Sequence, residues 1–287
     1  MIAPDITSCR ATIAAAFPDL ADDRLTVLDA GWDSIAIEAG GLIFKFPRHE
    51  AAAGRLRREA RVLAALGPAV TMALPDMTLH PGPPEFSRHA MLPGSHLLAA
   101  DYERLGEGAR QALAERLARL YAELHAVDGD AMRAAGAEPV HQWIEPEQIL
   151  DRLGGRLAPD LDRFMRETVA AWRALPPDPH GDTFGWFDGH GWNMAFDRAA
   201  GRLAGVYDFG DSGFGPLHRE FVYPNWISRD LTARIVARYE ALTGRAIDRG
   251  RVELLSGVLR LSEAAEYCDD PEHAPAMLGH VAAWAAG

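Results

Sequence analysis

Apolar residues change their spacing along the chain, and each spacing predicts an element. In "LTVLDAG" and "IAIEAGGLIFKFP" β-branched and aromatic residues alternate or cluster around glycines, the pattern of two or three strands joined as hairpins. Pro47 ends the last of them. From 49 to 66, Ala52, Leu56, Ala60, Leu63 and Leu66 recur at helical spacing, giving one apolar stripe and one strongly charged face. A short helix is expected over 7–17, with Thr7 as its cap.

Residues 67–95 are rich in proline and glycine. Within them "LHPGPPEF" reads as a loop between strands and "HAMLPGSHL" as a strand running into a turn, so the boundary between two domains is set here, at 93/94. Beyond it helical spacing dominates: Leu113, Leu117, Leu120 and Leu124 fall three or four apart, and the segments near 145–174, 229–243 and 250–268 are similar. One hairpin interrupts them, "NMAFD" and "RLAGVYDFG" joined by "RAAGR". The expected fold is α+β with two lobes, a small β-rich one over 1–93 and a larger, mostly helical one over 94–287.

Composition narrows the function classes. With 287 residues, 48% of them hydrophobic, the chain can bury a sizeable core, yet its longest apolar runs fall short of the roughly 20 residues that cross a bilayer. The reading is a cytoplasmic protein with no membrane partner. Cys9 and Cys268 lie near opposite ends without metal-ligand spacing, so neither a disulfide framework nor a zinc site is implied. A formal charge of −12 argues against nucleic acid and mildly favours a cationic partner.

The candidate chemistry sits in "GWFDGHGWNMAFD" and "DFGDSGFGP". The hairpin places Asn193 at its start and Asp208 past its far end, so the two can converge on one metal cluster, while Asp188 in the preceding loop is left to face a substrate hydroxyl. Two aspartates and an asparagine supply the oxygen ligands that magnesium prefers. Phosphoryl transfer needs such a set: little covalent help, but a cation for the phosphates, metal ligands, and a carboxylate beside the attacking hydroxyl.

The arrangement resembles the aminoglycoside phosphotransferase family, which has a protein-kinase-like fold. Its Asp-x-x-x-x-Asn catalytic loop is matched by Asp188 and Asn193, and its Asp-Phe-Gly by "VYDFGD". Upstream, "GWDSIAIEAGGLIFKFPRH" is similar to the nucleotide-loop hairpin, "RLRREARVLAAL" to the helix after it, "HAMLPGSHL" to the hinge and "LARLYAELHAVD" to the helix ending in Leu-His. The resemblance covers roughly 25–225. It implies Lys45 on the phosphates with Glu59 as its partner, Ser34, His89 and Met91 around an ATP or GTP donor, Asn193 and Asp208 on Mg2+, and Asp188 as base. The implied acceptor is a small-molecule hydroxyl, cationic and foremost an aminoglycoside, with a macrolide, choline, homoserine or sugar as alternatives. His190, Glu263, Glu266, Asp269 and Asp270 are candidates for holding it, the last four as an acidic rim on the C-terminal helices.

One departure stands out. The family has His-Gly-Asp or His-Asn-Asp at the catalytic loop, whereas this chain has Trp186, Phe187 and Asp188. The literal "HGD" at 180–182 stands eleven residues before Asn193 rather than five, and is rejected on spacing. An aromatic residue is expected to fill the histidine's space while losing its hydrogen bonds, which motivates a second reading, a pseudokinase-like nucleotide-binding module. A third, a metal-dependent phosphohydrolase using "DGHG", lacks a second His/Asp cluster.

Overall fold

Alternation along the first strands explains the sheet. In the computed structural model, which describes residues 5–28 and 33–287, α1 (Ile6–Ala16) precedes β1 (Thr26–Leu28), β2 (Ser34–Ala39) and β3 (Leu42–Pro47). The helix is capped by Asp5, not Thr7: the Asp5 side chain accepts from Ser8 N at 2.7 Å while Ser8 reaches back to Asp5 N, a reciprocal cap that Thr7, already inside the helix, cannot form. Part of the nucleotide-loop stretch, 29–32, lies outside the described residues.

After α2 (Glu50–Leu66) come β4 (Thr78–His80) and β5 (Phe86–Ala90), completing an antiparallel sheet of order β1-β2-β3-β5-β4. Because alternate residues of a strand face opposite sides, Ile35, Ile37, Phe44, Phe46 and Phe86 share one face and bury it against Cys9 and Ile13 of α1. The other face carries Ser34, Ile43, Lys45, Ser87 and His89. That face is the one α2 reaches.

The expected stripe of α2 is buried throughout. Its far end, Val62, Leu63 and Leu66, enters the same core as Leu120 and Leu124, so one helix ties the sheet to the helical body. The body contains α3 (Ala99–Glu103), α4 (Glu107–Leu124), α5 (Gly129–Ala135), α6 (Pro146–Leu153) and α7 (Pro159–Arg173). The helical segment read over 145–174 is therefore two helices, separated where Gly154 and Gly155 precede Pro159.

Next come β6 (Asp182–Gly185), β7 (Met194–Asp197), β8 (Arg202–Val206) and β9 (Gly213–Pro216), then α8 (Arg229–Thr243), α9 (Arg249–Glu266) and α10 (Ala274–Ala285). β7 and β8 form the expected hairpin, and β6 pairs with β9. Leu117, Leu120 and Leu124 of α4 are buried in one core with Leu231, Ile235 and Tyr239 of α8; each buried leucine is worth about 1.5–3 kcal/mol relative to exposure. Gly94 marks the entry to the helical body. Its φ is +132° and a Cβ there would lie 2.7 Å from Phe196 N, so only glycine lets the linker touch β7. No helix of the described residues is long and apolar enough to cross a membrane.

Candidate active site

Lys45, on the inner face of β3, joins the sheet to the turn after β8. Its Nζ lies 3.2 Å from Glu59 Oε1 and 3.2 Å from Asp208 Oδ1. Burial alone would lower the lysine pKa, but Asp208 and Glu59 together outweigh it and hold it above the ordinary value. Lys45 in turn holds Asp208 below the usual carboxylate range. An ordinary i, i+4 pair between Glu59 and Arg55 does not form, because Arg55 turns to Asp33. Glu59 instead accepts from Phe209 N at 3.1 Å, so α2 fixes both the lysine and the backbone beside Asp208.

The second group is local. Asn193 Nδ2 donates to Asp188 Oδ2 at 2.6 Å and to Asp188 O at 3.1 Å, while His190 Nε2 lies 3.1 Å from Asp188 Oδ1. Both carboxylate oxygens are thus engaged. Burial raises the Asp188 pKa against the pull of His190; burial would lower His190, but Asp188 outweighs it and raises the imidazole. The His190 ring stacks on Trp226 at 5.1 Å, and Arg260 lies over that tryptophan, 4.0 Å from its centroid, before pairing with Glu263 at 3.2 Å.

Asp211 was missed by the sequence reading. It is exposed, yet desolvation by the surrounding protein and the nearby Asp188 and Asp208 push it up to about 6. Carboxylates crowded in this way favour a cation among them. No three His, Cys, Asp or Glu side chains of the described residues make a metal cluster by themselves. An amide oxygen and a carboxylate, with phosphate and water completing the shell, suit magnesium. Asn193 leaves its Oδ1 for that role, since Nδ2 is turned to Asp188.

The model of the phosphotransferase enzyme family matches residues 24–255. The chain belongs to this family. No curated protein matches its sequence. Among solved structures, the GDP complex of aminoglycoside 2'-phosphotransferase-IIIa superposes with a TM-score of 0.86 at 20% identity, over 99% of each chain. Macrolide 2'-phosphotransferase MphH from Brachybacterium faecium gives 0.72 at 22% identity, over 96% of this chain and 98% of the other. The streptomycin-ATP ternary complex of APH(2")-IIa gives 0.65 at 16%, over 98% and 97%. At these identities the likeness is one of fold, a small antiparallel sheet joined to a larger helical body.

In this phosphotransferase the residue replacing the family histidine keeps a hydrogen bond, contrary to the expectation from its type. Trp186 is fully buried and stacked on Phe209, and its Nε1 donates to Asp208 O at 2.8 Å. The bond matters because Asp208 has φ +61°, unusual for a non-glycine residue, and needs holding there. Replacing Trp186 with Phe is expected to lower stability by about 1–2 kcal/mol, with a smaller loss for Trp186→His; denaturant midpoints measure both.

Glu220 carried no sequence signal. Its carboxylate is fully buried and accepts from Trp186 N at 3.0 Å and Phe187 N at 3.1 Å, with His125 Nε2 at 3.6 Å. Phe187 has φ +54°, so Glu220 fixes the turn that presents Asp188. His125 Nδ1 in turn pairs with Tyr239 Oη at 2.8 Å, which ties the end of α4 to α8 beneath the loop.

Other sequence candidates fare differently. Asp269 is engaged by Arg156 at 2.8 Å and Arg152 at 3.5 Å, and Asp270 holds His273 at 2.9 Å, so these two do not form an open acidic rim. Glu266 is exposed, and Glu263 faces Arg260. Met91 donates its amide to Gly41 O at 2.8 Å and leaves its side chain exposed, so that amide is not offered to a purine. Ser34 begins β2 on the Lys45 face. Asp182 lies exposed on β6, apart from this constellation.

Proposed function

We propose that this phosphotransferase moves the γ-phosphoryl group of a purine nucleoside triphosphate to a hydroxyl of a small molecule, with an aminoglycoside as the leading acceptor. The observation that carries it is the proximity of the Lys45, Glu59 and Asp208 triad to the Asp188 and Asn193 pair, near enough for Asp208 to act on the charges of Asp188 and His190. Residues 1–93 supply the nucleotide side and 94–287 the catalytic loop and acceptor side. Lys45, aimed by Glu59, holds the phosphates. Asp188 orients the acceptor hydroxyl and takes its proton; the hydroxyl displaces His190 or Asn193 from one carboxylate oxygen to do so. Asn193 Oδ1 and Asp208 would hold magnesium, which when bound neutralises charge developing on the phosphate oxygens.

The acceptor assignment rests on the relatives' named ligands and on the acidic charge. A macrolide, choline, homoserine or sugar is the alternative. The deciding experiment is transfer from ATP and from GTP, with magnesium, to a panel of these alcohols, read by product mass. A product one phosphoryl group heavier supports the reading and names the acceptor; bound nucleotide with no product from any acceptor would favour a binding module instead. Asp208→Asn should weaken magnesium-dependent nucleotide binding by about tenfold or more, since even residues supporting a metal ligand cost about that much. Calorimetric titration with and without magnesium checks it, and unchanged affinity would remove Asp208 from the metal.

A further inference from the structure

The inner face of the sheet holds a polar atom, on a residue that the resemblance sets near the donor, whose hydrogen bonding nothing above accounts for. Ile43 stands opposite His89 and Lys45 opposite Ser87, so His89 lies on the lysine's face, at the end of β5 where the linker to the helical body begins. It is 6% exposed. Its Nδ1 lies 2.9 Å from Ala90 O. A carbonyl oxygen only accepts, so Nδ1 carries the hydrogen, and in the neutral ring Nε2 is left as a bare acceptor. Burial lowers the ring's pKa; the Ala90 bond opposes it, and Lys45 and Asp208 pull in opposite directions, so the net effect favours the neutral ring.

Nothing among the described residues answers this acceptor. Nε2 has no hydrogen-bond partner there and is not sealed from solvent. Ser87 Oγ, two residues earlier on the same face, is buried and also lacks a partner. The nearby amide of Met91 is already taken by Gly41. A base entering this end of the cleft therefore meets an acceptor that calls for a donor.

Adenine and guanine differ there in kind. The 6-amino group of adenine donates, whereas the 6-oxo group of guanine accepts. We propose that His89 makes the cleft select adenine over guanine nucleotides, its Nε2 accepting from the 6-amino group and opposing the 6-oxo oxygen. This rests on the cleft being the nucleotide site, as proposed above. Guanine could recover a bond only by shifting its edge or by protonating the ring, and burial works against the second. Sites built around one buried polar group discriminate well against a ligand that cannot answer it.

The test is calorimetric titration of the full chain with Mg-ATP and with Mg-GTP, for the native protein, His89→Leu and His89→Gln. The native protein should bind ATP at least about tenfold more tightly than GTP. His89→Leu removes the acceptor and His89→Gln offers a donor beside it, so both should bring the ratio to within about threefold. The ratio is taken on one preparation, so a partly unfolded variant does not mimic the effect. A native ratio near one or favouring GTP would overturn the inference, as would a Leu variant that kept the native ratio. Failure of the native protein to bind either nucleotide would overturn the proposed function, and this inference with it.

Discussion

Replacing Asp188 with Asn should cut turnover by about two to four orders of magnitude while leaving nucleotide affinity within about twofold. On the proposed roles the loss follows from removing the group that takes the acceptor's proton; Lys45 and Asp208 stay where they are. The substitution is nearly isosteric but not silent. Both oxygens of Asp188 face donors, Asn193 Nδ2 and His190 Nε2, so an amide's NH2 opposes one of them unless His190 moves its hydrogen to Nδ1 and accepts. A fall in stability of about 1–2 kcal/mol should accompany the kinetic effect. Single-turnover rates at saturating substrates, measured below the variant's melting transition, separate the two. Near-native turnover would take Asp188 out of this role.

Glu220→Ala should destabilise the fold by about 2–6 kcal/mol, the cost of leaving two buried amide donors without an acceptor at about 1–3 kcal/mol each. The substitution strands the amides of Trp186 and Phe187 and leaves His125 facing a cavity, all without access to water. Thermal and denaturant unfolding measure it. Glu220→Gln should cost less, since one oxygen still accepts, but one amide loses its partner. A variant of native stability would show that the Phe187 turn holds itself.

Part of this was legible in the residues alone, for physical reasons. Lys45, Glu59, Asn193 and Asp208 sit on or beside elements with a clear period, so spacing tells which side chains share a face. Their order along the chain then carries the resemblance. Glu220 lies in "HREFVYP", short turns with no period, and acts on residues more than thirty positions upstream. No local pattern signals that contact. Trp186 misled for a different reason: residue type shows that an imidazole is missing but not that the indole N–H finds the Asp208 carbonyl. The acidic run at 263–272 looked open because its counter-charges, Arg152 and Arg156, come from a distant stretch.

The linker after the sheet has a mechanical consequence. Ser95 and Phe196 exchange backbone hydrogen bonds at 3.0 and 2.8 Å, and Leu97 N bonds Gly191 O at 2.9 Å. Residues 95–97 are thereby welded to β7 and to the loop that follows Asp188. The loop that carries Asp188 and the linker thus form one body through backbone bonds, whereas Lys45 meets Asp208 from the sheet by a side-chain ion pair.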